Sequence, residues 1–243
     1  MPVPPSPLPE NAGLAFRGEA AWGPARLTDR QAKQLFSAAN ACGRPNADVL
    51  RRRLAVVDGA PAGSWQVDFP AHFTAQECML YEQPFARLAG VVTNPHANHE
   101  LRRALARLSR FLAMPVDAEV PDWIWVEDEV LPDASLVVVA RDDDFTHGVL
   151  SSATFAAWHA AHRSKTTPDH VVASFPFPWP PATTLNALTA SQEESRHAVA
   201  RARRAGNGEQ LNEAVARAYG WATGVDAEEQ LEQLTILHCS RGR

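Results

Sequence analysis

Apolar and polar positions change places most sharply along residues 131–180. The turn Leu131-Pro132-Asp133 leads into the apolar run Leu136-Val137-Val138-Val139-Ala140, which ends at the polar cluster Arg141-Asp142-Asp143-Asp144. A β-branched run of this length between turn residues predicts a buried strand that carries charges to an exposed loop. A helix over Ser152–Arg163 follows, with Phe155, Trp158 and Ala161 inward, then a loop from Ser164 to Asp169 and the rigid Phe175-Pro176-Phe177-Pro178-Trp179. Trp123-Ile124-Trp125-Val126 reads as another strand, suited to pair with 136–140 as a long-looped hairpin.

Upstream, Thr28-Asp29-Arg30-Gln31 has the form of a capping box and predicts a helix over 29–41, stopped by Gly43 and Pro45. Residues 46–53 read as a short helix ending on Arg51-Arg52-Arg53, which suits either phosphate contact or a solvated helix terminus. Trp65 to Phe69 alternates as a half-buried strand. A second capping box, Thr74 to Glu77, opens a helix through Leu88, kinked at Pro84. Ala97–Ala113 predicts a helix with Leu101, Leu105, Leu108 and Leu112 on one stripe and Arg102, Arg103, Arg107 and Arg110 on a basic face. Residues 1–10 are proline-rich and expected to be disordered. Beyond Pro181 the pattern is helical over 183–205, 209–221 and a last segment capped at Asp226. The expected fold is α+β: a mixed sheet with surrounding helices, followed by an all-helical C-terminal tail. The division is an irregular segment 1–24, an α+β domain 25–181 and a helical region 182–243.

Composition narrows the class. The hydrophobic fraction of 45% is enough for a real core. No apolar run approaches the roughly 18 residues of a membrane span, and the N-terminus lacks a secretory pattern. Cys42, Cys78 and Cys239 are scattered, which argues against a disulfide framework or a structural zinc site. A cytoplasmic protein is expected. The net charge of −5 counts against a sequence-blind DNA binder. Yet 21 of the 23 cationic residues are arginine, the side chain suited to bidentate contacts with bases and phosphates. A GC-rich coding sequence explains that bias equally well.

Asp142-Asp143-Asp144 invites a Mg²⁺-nuclease reading, but adjacent strand residues face opposite ways, so a loop-shaping role with one Asp as cap is preferred. His96/His99 and His159/His162 are spaced i,i+3 and lack the Glu of a His-Glu-x-x-His zinc site. No nucleophile elbow, phosphate-binding loop or dinucleotide fingerprint is present. No catalytic, cofactor-binding or metal-binding residue is assigned.

Several short landmarks run in order along the chain: Asn46-Ala47-Asp48-Val49-Leu50, Trp65-Gln66-Val67-Asp68-Phe69, Tyr81-Glu82-Gln83-Pro84-Phe85, Leu131-Pro132-Asp133, Ala140-Arg141-Asp142-Asp143, Gly148-Val149-Leu150-Ser151-Ser152, Ser174-Phe175-Pro176-Phe177-Pro178-Trp179 and Ala218-Tyr219-Gly220-Trp221. In this the chain resembles the target-recognition region of the MmeI-like type IIL/IIG restriction–modification enzymes, which join a nuclease, an N6-adenine methyltransferase and a DNA-recognition domain. It departs from them in having no Asn-Pro-Pro-Tyr motif and no S-adenosylmethionine loop. The resemblance implies sequence-specific recognition of double-stranded DNA, with methylation and cleavage supplied by a methyltransferase or endonuclease subunit and S-adenosylmethionine entering only through that partner. It implies base reading on two loops, where Glu127 or Asp128 and Arg163, Lys165 and His170 are the candidates; Arg103 and Arg107, from the basic helical face, and Arg141 are further candidate DNA contacts. The alternative is a non-catalytic adaptor that keeps the fold but no longer reads DNA.

Overall fold

A computed structural model describes residues 4–57, 60–89, 91, 94–95 and 97–242. In chain order the strands are β1 (Ala15–Arg17), β2 (Arg26–Leu27), β3 (Leu50–Val57), β4 (Ala60–Val67), β5 (Arg110–Pro115), β6 (Ile124–Glu127), β7 (Val130–Pro132) and β8 (Leu136–Val139). The helices are α1 (Asp29–Ser37), α2 (Ala75–Met79), α3 (Glu82–Arg87), α4 (His99–Leu105), α5 (Asp144–Leu150), α6 (Ala153–His162), α7 (Pro168–Ala173), α8 (Ala190–Ala205), α9 (Gly208–Tyr219) and α10 (Ala227–Arg241). The class is α+β, with helices closing the chain. Among the described residues no helix is long and apolar enough to cross a membrane.

The chain forms two compact units. The first comprises the stretch ending at Phe16, Arg107–Val126 and everything from Val137 on; the second comprises Arg17–Ala106 and Glu127–Leu136.

The first unit is built on a sheet of order β1-β8-β5-β6. Every residue of β8 is buried, as its unbroken apolar run predicts. β5 lies between β8 and β6, so the expected hairpin of 123–126 with 136–140 does not form, although both strands share the sheet. The core gathers Trp123, Phe155, Trp158, Phe175 and Phe177 with Val199 and Val215 of the C-terminal helices. α5 packs closely on α8: a Cβ added at Gly148 would stand 2.5 Å from Val199 Cγ1, so only glycine fits. Two landmarks meet here, because the Tyr219 hydroxyl donates to the Pro176 carbonyl at 2.9 Å. The N-terminal stretch corrects the expectation of disorder. Leu8 is buried and Glu10 pairs with Arg241 at 2.8 Å, so apolar burial and an ion pair order its described part; residues 1–3 lie outside the described residues.

The second unit carries a mixed sheet of order β2-β4-β3-β7. β4 pairs antiparallel with β2 and β3, and β7 runs parallel to β3. Its core is Leu27, Leu35, Val49, Leu50, Val67, Phe69 and Tyr81. Both capping boxes form, Thr28 with Gln31 and Thr74 with Glu77. Two helices are shorter than expected: α1 ends at Ser37, and the 74–88 segment breaks at Leu80 and Tyr81 into α2 and α3.

Two expected helices are replaced in part by strands. Residues 46–53 form only a 3-10 turn, Asn46–Val49, before β3 takes Arg51-Arg52-Arg53. The segment 97–113 yields α4 and then β5, whose Phe111, Leu112, Ala113 and Met114 are all fully buried. Sheet pairing with sequence-distant strands overrode the local helical period in both cases. His96, of the His96/His99 pair, lies outside the described residues.

Candidate nucleic-acid interface

The connection from α6 to α7 rests on an aromatic floor in the first unit. Trp158 Nε1 donates to the Val171 carbonyl at 3.2 Å, and Ser174 Oγ donates to the same oxygen at 3.1 Å. Phe175 meets Phe155 and Phe177 edge-on at 5.1 and 5.0 Å. The Trp158 bond ties the middle of α7 to α6, and the Phe175 contacts extend this base under the end of α7. Arg163, Lys165 and His170 are all exposed on or beside the α6–α7 connection. Arg163 comes within 3.8 Å of Glu119, both side chains well solvated, so the pair adds little. His170 Nδ1 is 3.3 Å from Thr166 Oγ1. A planar guanidinium, an ammonium and an imidazole thus share one short connection. Beneath them His162 packs on Trp158, ring centroids 4.3 Å apart. Burial, then Lys165 and His238, push its pKa down to about 4, so it is neutral at pH 7.

Glu127 closes β6, and Asp128 sits in the tight turn to β7, both exposed in the second unit. Asp128 borders a cavity of about 360 Å³ whose other charged walls are Glu19, Arg51, Asp68 and Arg102. Arg102 Nη2 donates to Glu19 Oε2 and to Asp68 Oδ1, each at 2.8 Å. Arg102 therefore serves the fold rather than a basic face. Arg103 is exposed on α4. Arg107 is exposed too, but in a turn after α4, and Arg110 belongs to β5, so the four arginines expected on one helical face do not share one.

The arginine triplet divides in the same way. Arg53 is 2% exposed; its guanidinium meets Asp133 Oδ2 at 2.8 Å, Gln66 Oε1 at 3.1 Å and the Glu19 carbonyl. Arg51 and Arg52 are exposed, and Arg52 lies 5.8 Å from the centre of the Trp65 ring. Arg51 and Arg53 share a strand face, so the partners Asp133, Gln66 and Glu19 around Arg53, not alternation or a helix terminus, set these roles.

The acidic triplet shapes its loop. Asp143 caps α5, accepting from Thr146 N at 2.8 Å, and takes Arg141 Nε at 3.0 Å. Arg141 is therefore half-engaged. Asp144 is met by Arg110 at 3.1 Å and by Arg204 at 3.2 Å. Among the described residues no group of three or more His, Cys, Asp or Glu is arranged to hold a metal. Sequence reading missed the Arg110 side chain stacked on Trp125, 3.9 Å from the ring centre. No spacing signal marks it, because the two residues lie on different strands.

No family model matches the chain, and no curated protein matches it. Among solved structures the chain is similar in fold to a type IIL restriction-modification enzyme, MmeI, in complex with DNA, with a TM-score of 0.59 at 13% identity. The likeness covers 99% of this chain and 36% of that one, so the chain spans about a third of the enzyme's length. At this identity the likeness is one of fold.

Proposed function

We propose that the chain is a sequence-specific DNA-recognition protein of a restriction–modification or DNA methyltransferase system, a specificity component without a catalytic centre of its own. The observation that carries this reading is a fold likeness covering 99% of the chain to part of an enzyme solved with DNA. The exposed donors on the α6–α7 connection and the exposed acids Glu127 and Asp128 support it, since base edges are read by groups of both kinds. Arg163 and Lys165 take guanine or phosphate, Glu127 or Asp128 accepts from cytosine N4, and His170, Arg141, Arg103 and Arg107 make further contacts. A separate methyltransferase or endonuclease subunit, acting in the cytoplasm, supplies the chemistry and binds S-adenosylmethionine. The test is selection from a randomised duplex pool, with and without a methyltransferase partner. A recovered consensus is expected; a pool that stays random in both arms overturns the reading.

A second reading, an adaptor that has lost DNA binding, is favoured by the net charge of −5. Salt dependence separates the two. Each bound phosphate makes log affinity fall by roughly 0.9 for a tenfold rise in salt, whereas an adaptor shows no duplex binding whose salt dependence could be measured.

A further inference from the structure

Within the first unit, β5, β6, α5 and α8 bring together side chains that none of the expected roles uses. Arg110 and Arg204 share the two carboxylate oxygens of Asp144, at 3.1 and 3.2 Å. The Arg110 guanidinium also lies over Trp125, 3.9 Å from the ring centre. The Trp125 ring meets His147 edge-on at 4.9 Å. His147 in turn receives Arg203, whose Nη2 and Nε stand 2.8 and 3.2 Å from its Nε2. The chain of neighbours runs from Arg204 through Asp144, Arg110, Trp125 and His147 to Arg203, the residue before Arg204. Two guanidinium groups share the Asp144 carboxylate, and a third, Arg203, is held by His147 alone. Counting the exposed Asp142, whose carbonyl also accepts from Arg110, cations still outnumber acids three to two among these described residues.

The seat of Arg203 is the informative part. The same His147 Nε2 lies 3.0 Å from the Trp123 carbonyl. One ring nitrogen presents either a lone pair or an N–H, so it satisfies Arg203 or Trp123 but not both. With Arg203 seated, Nε2 accepts, the ring proton is on Nδ1, and the Trp123 carbonyl faces a lone pair. With Arg203 drawn away, Nε2 takes the proton and donates to Trp123. Departure of Arg203 thus leaves behind a satisfied imidazole. A guanidinium held only by a neutral ring keeps its charge uncompensated, and an anion is its better partner. Burial and then Arg203 itself keep His147 neutral, with a pKa of about 4; Asp144 and Arg110 also face the ring.

We infer that Arg110, Arg203 and Arg204 form an oxyanion site for phosphate groups of a DNA backbone, with Arg203 moving from His147 to the phosphate on binding. The DNA identity of the ligand rests on the proposed function; the oxyanion chemistry rests on the cluster alone. Arg204 is the outer member, its side chain 68% exposed, and Arg110 is fixed by Trp125. The site would position the protein on the duplex and carry no sequence information.

Two measurements on the full chain test this. Inorganic phosphate is titrated at constant ionic strength, with chloride as control, following the arginine Nε–H and His147 ring nitrogen resonances. Saturable shifts at Arg203 and Arg204 are expected in phosphate alone, with the His147 proton passing from Nδ1 to Nε2. Duplex affinity is then measured against salt for wild type and for R203Q/R204Q, with R204Q alone as the variant least able to disturb folding. The salt slope is expected to fall by about 1 for each phosphate that the variant no longer holds, with the preferred sequence unchanged. Absence of a phosphate-specific shift, or a wild-type salt slope in both variants, overturns the site and leaves DNA recognition standing. A phosphate response in a wild-type chain that binds no duplex, alone or with a methyltransferase partner, supports the oxyanion site and overturns the DNA reading.

Discussion

The two units handle their charges in opposite ways. In the second unit the strongest ion pairs are inside. Arg53 is 2% exposed against Asp133, and Glu19, also 2% exposed, shares Arg102 with Asp68. In the first unit the interior is aromatic and aliphatic, and its arginines stand at or near the surface over Asp143, Asp144 and neutral histidines. Charges committed to each other in the interior hold a fold but have little left for a ligand. Charges gathered over a rigid apolar core, with fewer acids than cations, remain available. A close approach of backbones underlines the contrast: a Cβ on Gly18 would stand 2.1 Å from the Asp133 carbonyl, so the second unit is drawn tight around its buried ion pair.

The largest effect is expected from breaking the buried pair. Arg53→Ala leaves Asp133, Gln66 and the Glu19 carbonyl without their shared donor and should destabilise by about 3–5 kcal/mol. Amide hydrogen exchange should show the change first in β3, β4 and β7. Unchanged protection there would break the comparison. Next is Gly148→Ala, which forces a methyl against Val199 and should cost about 1–3 kcal/mol, read as a lower unfolding midpoint in urea with the change concentrated in α5 and α8.

Acid should part the units more gently. Burial lowers His147 and His162 from 6.5 to about 4, and lowers His159 as well, with Arg163 adding to it. The unfolded chain then binds more protons than the folded one between those values, so first-unit stability is complete above pH 6.5 and is lost as pH falls towards 4. In the second unit burial works to raise Asp133, but the Ser135 N–H and Arg53 outweigh it and hold the carboxyl below 3.8. Its contribution is present above pH 3.8 and lost only below. Exchange at pH 5 should therefore quicken in α5 and α6 before it does in β3; the reverse order would refute the assignment. The smallest effect on stability belongs to Arg163→Gln, expected within about 0.5 kcal/mol of wild type. If Arg163 pairs with guanine, the same change should relax discrimination at one base position by roughly 1–3 kcal/mol, read from binding to single-base variants of the selected site.

Local signals were legible wherever a contact closes within one turn or one strand. Thr28 with Gln31, Thr74 with Glu77 and Asp226 with its helix are such cases, because a cap needs only residues two or three positions apart. The strand 136–139, the inward Phe155 and Trp158, and most of the C-terminal helical periods were equally readable from apolar spacing, although the helix expected from 183 begins only at Ala190, after a 3-10 turn at Leu185–Ala187. Tertiary structure decided the rest. Leu108 and Leu112 continue a helical stripe in sequence, yet residues 110–115 become the inner strand of a sheet because β8 and β6 supply pairing on both sides. Arg51, Arg52 and Arg53 look alike in sequence. Asp133, 80 residues away, made one a buried anchor, while the other two stayed exposed. Arg110, Trp125, His147 and Arg203 lie on four elements, so their meeting could be seen only once the chain had folded.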